Sequence, residues 1–422
     1  MGAGASIDGA VIADLVAQLS EVDARRAARY PGPRPGRQPV HTCYLPADRL
    51  TPTSGPDWGA QALAALDEHA PNAAALASVL DLPAELAEPV YDRVRTKLAS
   101  EPVEDLRVDF EDGYGAPGEQ AEDADARRAA QVLAGWCREG TAPASMGLRF
   151  KSFDTPELLR RGVRTLDLVV TGLVGELGEL PPRFVPTFPK VTGPQQVSAL
   201  LVVLELLEDR LDLPAGALRF EIQIETTQSI VDDLGRFVVP RLIAAGKGRV
   251  SGLHFGTYDY TAACGLGAAD QHLAHPACDF ARAAMQVGAA GTGVLLSDGS
   301  TNRLPVGDAV HEGWRTHFDL VTRALHNGFF QGWDLHPAQL VTRYAAVYAY
   351  YLAHAPADAA RLRAYVERTA GSVLDEPATA QALATSLRRA VDCGALTAGQ
   401  AGFDADALDA LAGRRAVDQP AR

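Results

Sequence analysis

Carboxylate and cationic side chains recur in this sequence where short β-branched or aromatic runs stop. Glu225 closes RFEIQIE, and Asp259 follows VSGLHFG within HFGTYDY. Asp109, Glu111 and Asp112 fall at the end of LRVDF in the string DFEDGYG. Arg149 and Lys151 lie in GLRFKSF, Lys190 closes RFVPTFPK, and Asp334 and His336 close FFQGWDLHP. Carboxylates at the same end of adjacent strands can reach one cation together, because such strands lie about 4.8 Å apart. Glu225 and Asp259 alone leave most of an octahedral shell to water and substrate oxygens. That suits Mg2+ (or Mn2+) better than a caged Ca2+ or a thiolate-bound Zn2+. The competing role for the pair is a salt bridge to Arg149 or Lys190. Arg149 likewise has two roles open, bidentate pairing with a substrate carboxylate or structural pairing with Asp109 or Glu111. Strand alternation puts Asp109 and Glu111 on one side and Asp112 on the other, unless the chain has already turned.

These residues need strands to carry them, and eight such runs can be counted: VHTCYL near 40, LRVDF, GLRFKSF, RFVPTFPK, RFEIQIE, VSGLHFG, TGVLLS at 292 and FFQGWDL at 329. Each is followed by a loop rich in Gly, Asp, Thr or Pro and then an Ala/Leu-rich stretch, the rhythm of βαβ units. The predicted fold class is α/β, a (β/α)8 TIM barrel with an N-terminal helical arm and a helical C-terminal extension, its chemistry at the C-terminal strand ends. Residues 1–38 are read as helix (Ile7 to about Ala28) and linker, 39–345 as barrel and 346–422 as extension. The first unit is stretched, which implies an insertion after strand one. TLDLVVTGLV at 165–174 is either an extra strand or part of the third helix. Tail helices are expected at Ala338–His354, Pro356–Arg368, Ala378–Cys393 and Asp404–Arg414.

With 422 residues, 47% hydrophobic and 22% charged, the composition is that of an ordinary globular chain. A net charge of −14 gives no footprint for nucleic acid or anionic lipid, and no apolar run is long enough to span a membrane. Scattered cysteines without a C-x-x-C pair argue against a disulfide framework and a zinc ribbon, so a cytoplasmic location is expected. CGLGAAD contains G-x-G without the strand–turn–helix layout of a nucleotide fold, and there is neither a P-loop nor a G-x-S-x-G elbow. His254, inside an apolar strand, reads as a satisfied core histidine rather than a ligand.

The ordered series DFEDG, LRFKS, PTFPKV, IQIET, FGTYD and GFFQGWDLHPAQ resembles the citrate lyase beta-subunit-like and HpcH/HpaI aldolases of the phosphoenolpyruvate/pyruvate TIM-barrel superfamily, over about residues 104–345. The resemblance implies metal ligation by Glu225 and Asp259, substrate-carboxylate binding by Arg149, and an acidic cluster at Asp109, Glu111 and Asp112. It implies a metal-dependent carbon–carbon lyase that cleaves a 2-oxo acid or an acyl-CoA hydroxy acid through a metal-stabilised enolate. The alternatives are a malate-synthase-like condensation and an inactive barrel serving as a binding subunit. Asp112 is the first choice of base, with water ordered by Glu111 the second. Lys190, Tyr258 and His336 are candidate substrate contacts. The expected partners are a small oxo-acid or acyl-CoA substrate and further copies of the chain, a homo-oligomer. RFKS in place of R-x-N, Tyr258 and Tyr260 around Asp259, and Trp333 and Asp334 before LHP depart from the family pattern.

Overall fold

The computed structural model describes residues 7–34, 36–367 and 376–413. An amphipathic helix α1 (Gly9–Arg29) comes first, with none of its residues buried. The linker after it is tied to the barrel floor: Gly32 N–H donates to Gly291 O and Arg34 Nη2 to Val250 O.

All eight predicted runs form strands: β1 (His41–Pro46), β2 (Asp105–Asp109), β3 (Ser145–Arg149), β4 (Thr187–Phe188), β5 (Phe220–Ile224), β6 (Val250–Phe255), β7 (Leu295–Ser297) and β8 (Gly332–Asp334). They are parallel, in the order β7-β6-β5-β4-β3-β2-β1-β8, and a single Ser297–Gln331 bridge joins β7 to β8 and rounds the sheet into a barrel. β4 is only two residues long because Pro186 and Pro189 flank it and neither can donate to a ladder.

The stretched first unit holds three helices, α2 (Ser54–His69), α3 (Ala73–Leu80) and α4 (Ala84–Ser100). After β2 comes α5 (Glu119–Glu139), and after β3 comes α6 (Pro156–Leu177). α6 contains all of TLDLVVTGLV. Its buried Thr165, Leu166, Val169, Val170 and Leu173 recur at helical spacing and the Thr155 side chain caps its start, so the helical alternative holds. The circuit continues with α7 (Pro194–Arg210), α8 (Val239–Ala245), α9 (Thr257–Ala263), α10 (Pro276–Ala289) and α11 (Val310–His326).

The tail corrects one expectation. Ala338–His354 and Pro356–Arg368 are not separate helices: α12 runs unbroken through Gln339–Glu367 with Pro356 inside it. Packing overrides the missing proline donor, since Ala355, Ala359 and Leu362 are buried on the same stripe as Tyr348 and Tyr351. Position 345 therefore lies mid-helix, and α12 packs on α2, α4 and α11 as part of the barrel wall. α13 (Pro377–Asp392), α14 (Ala398–Ala401) and α15 (Ala405–Ala412) follow. The helix ends expected at Arg368 and Arg414 lie outside the described residues. No helix among the described residues is long and apolar enough to cross a membrane, and the five cysteines are free thiols.

The lumen is polar. Leu106, Val108, Ile222 and Ile224 point outward under the helices, while alternation turns Asp105, Arg107 and Asp109, and Glu221, Gln223 and Glu225, inward. Mid-barrel, Arg107 Nε donates to Glu221 Oε1 at 2.8 Å, and Arg107 also pairs with Asp105. His254 Nε2 lies 2.9 Å from Glu221 Oε2, and its Nδ1 accepts from Trp333 Nε1 at 3.1 Å, so it is a satisfied core histidine. Burial alone would raise Glu221, but Arg107 and His254 hold it down to about 2.

Candidate active site at the C-terminal strand ends

Above this layer, β2 and β3 present an interlocked pair. Arg149 Nε and Nη2 donate to Asp109 Oδ1 and Oδ2, both at 2.7 Å. The same carboxylate accepts the backbone N–H groups of Glu111 (3.0 Å) and Gly113 (2.9 Å), which turns the DFEDG segment back over the barrel mouth. Arg149 Nη1 lies 3.3 Å from Gln223 Oε1, 3.6 Å from Glu111 and 4.0 Å from Asp112. Its guanidinium is also covered by Tyr44, 4.8 Å from the ring centre, and by Trp333 at 5.9 Å. Arg149 thus takes the structural pairing with Asp109 and turns only Nη1 towards the acidic residues.

β5 and the β4 end hold the next layer. Glu225 is buried, accepts the Lys190 backbone N–H at Oε1 (2.7 Å), and accepts the Gln223 side-chain amide at Oε2. Gly256 makes room for it: a Cβ there would stand 2.4 Å from Glu225 Cβ. Burial, reinforced by Asp259 against the pull of Lys190, pushes the Glu225 carboxyl up to about 8.

Lys190 adopts a left-handed backbone, φ 51°. Its ammonium stands 2.8 Å from Glu111 Oε1, 3.0 Å from Asp112 Oδ2 and 3.4 Å from Asp259 Oδ2. Burial opposes its charge, but Glu225, Glu111 and Asp112 outweigh that and hold its pKa above the usual lysine range. Glu111 is pushed up by burial, whereas Asp112 is held down by Glu111 and Lys190 in spite of burial. The two adjacent carboxyls are thus pushed in opposite directions.

Glu225, Asp259, Glu111, Asp112, Arg149 and Lys190 are therefore brought to one place. Tyr258 is not; its hydroxyl accepts from Asn302 N–H at 2.6 Å and pins the loop after β7. His336 caps its own turn through Nδ1, which accepts Ala338 N–H at 3.2 Å, and burial lowers its pKa. Lys151 Nζ donates to Phe110 O and Gly115 O, bracing the DFEDG loop. Asp334 points outward to His41, His317 and Arg343. Sequence reasoning passed over Gln223 and Tyr44. The signal for Gln223 was alternation, which puts it on the same face as Glu221 and Glu225.

Among the described residues, no group of three or more His, Cys, Asp or Glu converges in metal-binding geometry. The donor set nonetheless fits a hard divalent cation. Asp109, Glu111, Asp112, Glu225 and Asp259, five carboxylates, face two cationic side chains, Arg149 and Lys190.

The sequence profile of one family matches residues 19–416, nearly the whole chain. The chain belongs to the family Domain of unknown function (DUF6986). No curated protein matches its sequence. Its solved structural neighbours include a citrate lyase from Burkholderia xenovorans LB400, at 17% identity and TM-score 0.57, covering 88% of this DUF6986 chain and 97% of that one. The Haloferax volcanii malate synthase magnesium/glyoxylate complex is also similar, at 18% identity and TM-score 0.46 over 73% and 74% of the two chains. An HpcH/HpaI aldolase/citrate lyase family protein from Burkholderia cenocepacia J2315 matches at 15% identity and TM-score 0.42, over 76% and 95%. The DUF6986 chain shares the barrel fold of the citrate lyase.

Proposed function

We propose that this protein is a carbon–carbon lyase, or the corresponding condensing enzyme, that acts on a small oxo acid or an acyl-thioester hydroxy acid with a divalent cation at Glu225 and Asp259. The observation that carries the reading is the surplus of carboxylates at the mouth, with buried Glu225 pushed up to about 8. When bound, Mg2+ or Mn2+ would stabilise the negative charge that grows on a substrate carbonyl oxygen as the bond breaks. The chain's own residues do the rest. Asp112, half-exposed and held down in pKa beside Lys190, would take the proton from the substrate hydroxyl. Glu111 supports Asp112 by accepting its backbone N–H at 2.8 Å. Tyr44 and Trp333, both buried in the lumen, pack on the Arg149 guanidinium and hold it in place.

The test is product analysis with oxaloacetate, 4-hydroxy-2-oxo acids and malyl-CoA in Mg2+ or Mn2+, alongside calorimetry of Mn2+ binding. Turnover of one of these substrates is expected, with Mn2+ binding lost in Glu225→Ala and Asp259→Ala. No turnover on any of them, together with unchanged Mn2+ affinity in both variants, would leave a non-catalytic barrel as the better reading.

A further inference from the structure

Lys190 stands where the carboxylates converge. Its ammonium touches Glu111, Asp112 and Asp259. Its backbone N–H is spent separately, on Glu225 Oε1. The side chain can therefore leave while the main chain keeps its hold on Glu225.

Arg149 cannot make the same move. Two of its nitrogens are committed to Asp109 and its guanidinium is buried against the adjoining rings of Tyr44 and Trp333. Lys190 has a side chain 21% exposed, against 6% for Arg149. Of the two cations at the mouth, Lys190 is the one free to be handed on.

We infer that Lys190 is a resident counter-ion: a divalent cation takes its place beside Asp259, at the Glu225 and Asp259 oxygens, and the released ammonium then binds the carboxylate of the substrate. Two like-charged groups cannot share those oxygens at contact distance. Cation and carboxylate ligand therefore bind with positive coupling, because each relieves a cost that Lys190 imposes on the other. This rests on the proposed metal site and adds an order to its assembly.

The experiment is calorimetry of Mn2+ binding, with and without oxalate, on the full chain and on Lys190→Met, Lys247→Met and Glu225→Gln. Lys247 is a matched control: it is an exposed lysine with φ 46°, at the opposite end of the barrel before β6. Lys190→Met is expected to bind Mn2+ alone about tenfold or more tightly than the unaltered chain, the scale of removing a like charge at contact distance. Its strengthening by oxalate should shrink, because the ammonium that receives the oxalate is gone. Lys247→Met should leave both quantities unchanged. Equal Mn2+ affinity and equal coupling in Lys190→Met, with binding lost in Glu225→Gln, would overturn the inference while the metal site stands. Absence of Mn2+ binding in both the unaltered chain and Lys190→Met would overturn the site and the inference together.

Discussion

Gly256 is a residue whose value lies in what it leaves out. A methyl group there would press on Glu225 Cβ at 2.4 Å and on Oε2 at 2.7 Å. Gly256→Ala should therefore weaken Mn2+ binding about tenfold and cost about 1–3 kcal/mol of stability, read by calorimetry and urea melts. Deeper in the lumen, Glu221 sits below its ordinary pKa because Arg107 and His254 favour its charge. A depressed carboxylate contributes stability above its unfolded value of 4.5, and that stability is lost as pH falls through about 2. Urea melts at pH 6 and pH 3 should show the loss in the unaltered chain and a smaller loss in Glu221→Gln. At pH 6 that variant should already be weaker by about 3 kcal/mol, the lower end of the cost of breaking a buried pair, because Arg107 keeps Asp105. The strand-end acids were legible in the sequence because a charged residue that ends an apolar run has few places to go. The competition for Arg149 was legible too, but its outcome was not. Its choice of Asp109 over a ligand depends on both side chains being buried together, which spacing does not encode.

Elements divide in the same way. All eight strands were visible from β-branched and aromatic runs bounded by turn residues, even β4, whose two prolines leave it two residues of ladder. The fusion across Pro356 in α12 was not visible, because local propensity argues for a break and only the buried stripe on either side argues against it. Pro356 is itself exposed, so Pro356→Ala should restore a helical donor without losing packing. A gain of about 1–3 kcal/mol in chemical denaturation is expected. α1 presents the opposite case, a helix that is amphipathic by sequence yet buries nothing. Truncation just before Tyr30 should shift unfolding by no more than about 0.5 kcal/mol, since no barrel contact of the core depends on it.

For the molecule as a whole, the ring is unevenly closed. β7 meets β8 through one bridge, and β3 meets the short β4 through the Arg149–Thr187 pair and an isolated Met146–Phe184 bridge. Amide exchange should be fastest along these two lines, since few ladder bonds resist local opening there. The same two lines cut the constellation of charged groups. Lys190, Glu225 and Asp259 ride on the arc from β4 to β7, whereas Asp109, Glu111, Asp112 and Arg149 ride on the arc from β8 through β3. A ligand that touches both sets is a clasp between two half-shells. Occupancy by Mn2+ and oxalate should then slow exchange along both lines at once, including the β7–β8 line. A pull at the mouth would be felt as a tightening of the whole hoop.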